Sequence, residues 1–178
     1  MGKAKEPRSV ELFSGLIGIS ESALELARRS LSEKYGPIEE VSKIFSFDFT
    51  NYYQDEMGPD LLRQFVAFEN TIDPAILSRV KLSTNSLEDE LTQELDTEVE
   101  RGINIDPGYL ELSKVVLATT KNYSHRVYLR DGIYAEVTLH YEDGTFQPYP
   151  WTYPDYCSEG YINYFNEIRR NYKDKIPP

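Results

Sequence analysis

The sequence predicts an α+β fold, a ferredoxin-like β-α-β / β-α-β-β sheet with a helical insertion and a C-terminal helix. Three observations carry this. Apolar segments at 9–19 and 45–49 flank a capped amphipathic stretch. A second strand–helix–strand order begins at Ile103 and ends in alternating segments joined by Asp-Gly. The end of the chain carries apolar residues at helical spacing. At 178 residues the chain has the length of one domain. Residues 1–8 are expected as a flexible N-terminus, 50–102 as the helical insertion, and 103–178 as the second β-α-β with its hairpins and final helix.

Residues 9–19 are apolar and bounded by polar residues, which marks a buried strand. Ser22 and Glu25 have capping-box spacing. Leu24, Ala27, Leu31 and Tyr35 form a helical stripe that Gly36-Pro37 stops. Phe45, Phe47 and Phe49 alternate with Ser46 and Asp48 as a second strand, and a parallel pairing of the two strands requires a right-handed crossover. Pro59 opens a helix carrying Leu62, Phe65, Val66 and Glu69, and Asp73-Pro74 opens a short one to about Val80.

Ser86 to Arg101 has leucines and Val99 at every fourth position among seven acids, and reads as a solvated acidic helix or a docking face for a basic partner. Ile103-Asn104-Ile105 is a short strand. Asp106 then caps a helix from Pro107 to about Lys121, although Val115 to Thr120 has the β-branched composition of a strand. Residues 125–130 and 133–141 alternate as strands, and a last helix from about Ser158 puts Tyr161, Phe165, Ile168 and Tyr172 on one side. Apolar matching favours a three-residue loop at 131–133, with Val127 opposite Val137 and Leu129 opposite Ala135 on a core face. The Asp143-Gly144 turn takes two residues and pairs Tyr141 with Phe146.

The formal net charge of −11 disfavours nonspecific binding to nucleic acid or anionic membrane. The single Cys157 excludes an intramolecular disulfide and a multi-cysteine zinc site. The apolar runs fall far short of the ~20 residues of a membrane span, and the N-terminus lacks a secretory pattern. These features predict a soluble, cytoplasmic protein that needs no cofactor to fold.

Charge distribution points to one region. From Ser113 to Arg130 there are Lys114, Lys121, His125, Arg126 and Arg130 and no acid. Such a basic island suits a small anion, phosphorylated or nucleotide-like, because Arg forks and Lys point charges match phosphate and carboxylate. The competing structural reading has Arg126 and Arg130 clamping Glu136. For catalysis the candidates are His125 as acid/base, Glu136 as its counterpart and Lys121 as anion clamp, in a hydrolase or transferase. Ligand-binding candidates are Lys114, Arg126, Arg130, Tyr134, Tyr109 and Trp151. Asp48 and Asp106 carry oxygens that suit Mg²⁺, without the spacing of a known loop. The Tyr149–Tyr156 segment holds Trp151 and Tyr153, rings that can stack a base or sugar or anchor a protein partner. No Walker, dinucleotide or G-x-S-x-G pattern is present.

Several stretches carry a resemblance to a known family. They include Phe47-Asp48-Phe49-Thr50, Glu56-Met57-Gly58, Asn104-Ile105-Asp106-Pro107-Gly108-Tyr109, Leu117-Ala118-Thr119-Thr120-Lys121, Asp131-Gly132-Ile133-Tyr134-Ala135-Glu136 and Pro150-Trp151-Thr152-Tyr153-Pro154-Asp155-Tyr156. Together they resemble the prokaryotic domain-of-unknown-function family 4416 over nearly the whole chain. The resemblance implies a stand-alone cytoplasmic domain and brings no catalytic residues with it.

Overall fold

The computed structural model describes residues 2–177. The elements in chain order are β1 (Val10–Gly18), α1 (Glu21–Tyr35), β2 (Ile38–Val41), β3 (Phe45–Ser46), α2 (Gln54–Met57), β4 (Leu62–Ile72), α3 (Leu77–Glu94), β5 (Ile103–Glu111), β6 (Lys114–Thr119), β7 (Arg126–Arg130), β8 (Ile133–Glu142), β9 (Thr145–Pro148) and α4 (Glu159–Lys175). Among the described residues the nine strands form one sheet in the order β2-β4-β1-β5-β6-β8-β7, with β3 beside β4 and β9 beside β8. Every pairing is antiparallel. The fold is therefore α+β with a C-terminal helix, but its sheet is larger than a ferredoxin-like one and the expected parallel β-α-β pairing is absent.

Helices cover both faces. On one face α1 and α3 pack Leu24, Ala27, Leu31, Val80, Leu87 and Leu91 against Leu12, Leu16, Val66, Phe68, Ile103 and Ile105. On the other, α4 packs Tyr161, Phe165, Ile168 and Tyr172 against Phe13, Phe65, Ala67, Leu110 and Leu139. Each fully buried Leu, Ile, Val or Phe among them contributes about 1.5–3 kcal/mol before entropy is counted. This two-sided cover explains why all nine residues of β1 are buried and why its sequence is a continuous apolar run rather than an alternation. It also explains the first correction. The segment read as a helix after Pro59 is β4, beside β1 in the interior of the sheet. Its Phe65 and Val66 face opposite sides, so a strand with two buried faces imitates helical apolar spacing. Residues 50–102 are thus no insertion.

The second correction concerns Asp106-Pro107, which was read as a helix cap. These residues lie inside β5, and Val115 to Thr119 is the strand β6. Pro107 has no N–H for a ladder, and the β5–β6 pairing begins only at Gly108 opposite Leu117. Gly108 fits there because a Cβ would meet the Val116 carbonyl oxygen at 2.4 Å and the Phe13 ring at 2.6 Å.

The third correction is register. Asp131-Gly132 is a two-residue turn with φ of 52° and 77°, preceded by a bulge at Leu129 that sets Arg126 opposite Glu136 and Val127 opposite Ala135. Val127 stays on the Ala135 face, but it and Leu129 are exposed because β7 is the last strand of the sheet. The other elements follow expectation more closely. The β8–β9 turn pairs Tyr141 with Phe146, Asp73 caps the turn before α3, and α4 buries its expected side. Helix α1 starts two residues earlier than read, capped by Ser20 in place of Ser22. The acidic helix α3 stops at Glu94, and its Glu88 is buried rather than solvated. Among the described residues no helix is long and apolar enough to cross a membrane.

Candidate functional site

Beyond Gly108 and Leu117 the strands β5 and β6 part, and a cleft of about 850 Å³ lies at the opening. Its size falls in the usual range for a small-molecule site. One wall is the β6–β8 side of the sheet. Another is the loop 47–53, a third is the segment 151–156, and Lys81, Asn85 and Glu88 of α3 reach it from the far face.

The sheet side of the cleft carries a four-part cluster. Arg126 and Glu136 are both almost fully buried, and Arg126 Nε donates to Glu136 Oε2 at 2.8 Å. His125 Nε2 lies 3.1 Å from the same oxygen. Arg126 Nη1 donates to the Lys121 carbonyl at 3.0 Å, and Nη2 donates to the Tyr153 hydroxyl at 2.5 Å. The two-residue turn and the bulge build this arrangement: without the extra residue on β7, Arg126 and Glu136 would not be opposed. In the tautomer whose Nε2–H donates to the carboxylate, Nδ1 is the ring nitrogen that Glu136 does not engage.

Lys121 stands apart from the other cations that line the cleft, Arg63, Lys81, Arg101 and Arg126, each of which is paired with a carboxylate. Among the described residues it has no carboxylate within ion-pair distance, and its Nζ sits 3.9 Å from the centroid of the Tyr52 ring. Rings extend the same wall. Tyr123, His125 and Trp151 lie nearly parallel, at centroid spacings of 6.1 and 5.7 Å, and Tyr149 stacks on the outer side of Trp151 at 4.6 Å. Trp151 is held in place by Nε1 donating to the Val137 carbonyl at 3.0 Å, and Thr152 Oγ1 donates to the Thr138 carbonyl at 2.5 Å.

The other end of the cleft is a network that sequence reasoning missed. Lys81 Nζ donates to the Ile105 carbonyl at 2.9 Å and to Asp106 Oδ1 at 3.4 Å. Asn104 Nδ2 donates to Asp106 Oδ2 at 2.8 Å. Arg101 Nη2 donates to Glu88 Oε2 at 2.5 Å and to Asn104 Oδ1 at 2.6 Å. Arg63 sits deepest, ringed by Phe47, Phe65, Tyr156 and Tyr161, with Nη2 donating to Asp155 Oδ2 at 3.2 Å. Burial raises the Glu88 carboxyl above its ordinary range despite Lys81, Arg101 and the Ile105 amide. Burial likewise raises Asp155 despite Arg63. At Asp106 burial acts in the same sense, but Lys81, Arg63 and the Asn104 amide outweigh it and hold the carboxyl below its ordinary value.

Of the residues proposed from sequence, His125, Glu136, Lys121, Arg126, Trp151 and Asp106 line this one cleft. The others lie elsewhere. Lys114 is ion-paired to Glu111 at the opposite end of β6, Arg130 is exposed beside Asp131, and Tyr134 packs on Tyr128. Tyr109 packs beside Val116 and Ala118, and Asp48 does not line the cleft. Asp106, read as a metal oxygen, faces Lys81, Arg63 and Asn104. Among the described residues no three His, Cys, Asp or Glu side chains gather as a metal-holding group.

No curated protein and no solved structure matches this chain. A family model, described as a domain of unknown function (DUF4416), matches residues 8–172. That match takes in every strand, the cleft on both its sides and nearly all of α4, so the chain belongs to the DUF4416 family.

Proposed function

We propose that the cleft binds a small anionic ligand, with the negative group held at Lys121 beside His125 and Arg126. The observation that carries this reading is Lys121 itself. It is a cation on the wall of a ligand-sized cleft, without a carboxylate partner among the described residues, in a chain of net charge −11. A lysine placed so is a ready point charge for phosphate or carboxylate. His125 is placed for proton transfer, with Glu136 orienting it and Arg126 keeping that buried carboxylate paired. This fits a hydrolase or transferase acting on the bound anion.

The rival role as a protein-docking module draws less support. Glu88 of the acidic segment is turned inward to Arg101, and the Tyr149–Tyr156 loop is clipped to β8 as a cleft wall. The test is a thermal-shift panel of phosphates, nucleotides, sugar phosphates and carboxylates on the wild type and on Lys121→Ala. A ligand at ~100 times its dissociation constant adds about 2.7 kcal/mol of stability. Binding that Lys121→Ala abolishes supports the reading; binding indifferent to Lys121, or none at all, removes it.

A further inference from the structure

The cleft has two chemically different ends, and the second restricts what the first can hold. At the α3 end each cation faces a carboxylate: Lys81 with Asp106, Arg101 with Glu88, Arg63 with Asp155. That end offers hydrogen-bond donors and acceptors side by side without surplus charge. A second anionic group placed there would meet three carboxylates, so a polyanion spanning the cleft is disfavoured. Mixed donor–acceptor pairs suit a group that both donates and accepts, which describes a hydroxyl: its O–H reaches a carboxylate while its oxygen takes an N–H. Asn85 of α3 lines this end, half-buried, and among the described residues its amide makes no hydrogen bond. Asparagine carries both kinds of group on one side chain. Tyr52, Tyr123, Trp151 and Tyr153 line the cleft on its Lys121–His125 side, and they give a bound ring an aromatic border there.

Resting on the anion-site reading above, we infer that the ligand is a ring-bearing phosphomonoester. Its single phosphate lies at Lys121, and a hydroxylated sugar, with or without a base, reaches toward Asn85 and the Asp106–Lys81 pair. The inference names an α3-side recognition subsite that discriminates by the uncharged part of the ligand. Asn85 is its most dispensable member, because the residue is only half-buried and holds no partner in place.

The experiment is calorimetric titration of the wild type, Asn85→Ala and Lys121→Ala with four probes: inorganic phosphate, ribose 5-phosphate, a nucleoside 5′-monophosphate and the matching nucleoside. The inference expects both phosphomonoesters, or the nucleotide alone if the base is required, to bind at least tenfold tighter than inorganic phosphate. Asn85→Ala should weaken them roughly tenfold, as expected for removal of a partner in a shielded hydrogen bond, and leave inorganic phosphate unchanged. Lys121→Ala should weaken every phosphate-bearing probe. If phosphate and phosphomonoesters bind equally, the α3 subsite is overturned while the anion site stands. If Asn85→Ala leaves a tight phosphomonoester untouched, the placement of the ring is overturned. If the nucleoside binds as tightly as its monophosphate, or no probe binds, the anion site fails and this inference fails with it.

Discussion

Arg126 and Glu136 face one another directly across β7 and β8, almost wholly out of solvent, with 2.8 Å between Arg126 Nε and Glu136 Oε2. Removing one partner strands the other charge in the interior, which typically costs about 3–5 kcal/mol. Arg126→Ala and Glu136→Ala should each fall in that range. The apolar double variant Arg126→Met with Glu136→Leu should lose clearly less than the sum of the two. Denaturant melts of the four proteins check this, and additive losses would mean the two side chains do not stabilise each other.

The edge position of β7 gives a prediction of opposite size. Val127 is 69% exposed because β7 is the last strand of the sheet, where Tyr128 on the other face is exposed too. Val127→Ser should therefore change stability by no more than about 0.5 kcal/mol, as for surface positions generally. A loss of about 2 kcal/mol or more, as for a large-to-small change in a core, would mean that Val127 is covered rather than exposed.

The close approach of β5 to β6 makes Gly108 the most sensitive glycine of the sheet. A Cβ there would overlap the Val116 carbonyl oxygen, which is backbone and cannot swing away. Gly108→Ala should lose about 1–3 kcal/mol or more, the range of overpacking strain. An unchanged melting temperature would contradict this packing.

Glu11 yields a pH dependence. It is fully buried in β1, and Lys175 of α4 donates to its two oxygens at 2.8 and 3.0 Å while also pairing with Glu39. Burial lifts its carboxyl from 4.5 to about 7, against the lowering effect of Lys175. A raised carboxyl binds its proton more tightly folded than unfolded. Its contribution is therefore present in full below about 4.5 and is lost as pH rises toward 7, on the order of 3 kcal/mol in all. Glu11→Gln should flatten the stability profile over that window relative to wild type. Parallel profiles for the two proteins would show that Glu11 does not titrate there.

What could be read in advance depended on how local each feature is. Helix α4 and the β8–β9 hairpin declare themselves because spacing and turn residues lie within one segment. Strand β4 does not, since burial on both faces erases the alternation that marks a strand. Asp106-Pro107 carries the same letters as a helix cap, and only the neighbouring strands β1 and β6 reveal it as the point where a ladder ends. The same rule governs the site. Lys121, His125, Arg126 and Glu136 were legible because a single hairpin with its leading loop carries them. The α3 end was not, because it joins Lys81 to Asp106 and Arg63 to Asp155 across distant parts of the chain.

The central claim is that Lys121 marks an anion site in the cleft. The most direct measurement is calorimetric binding of ribose 5-phosphate to wild type and to Lys121→Ala, with melting curves confirming that both are equally folded. The account predicts saturable one-to-one binding to the wild type and affinity lowered by at least about tenfold in the variant, the usual scale for losing a charged hydrogen bond. Equal affinity in the two folded proteins, or no binding to either, would contradict it.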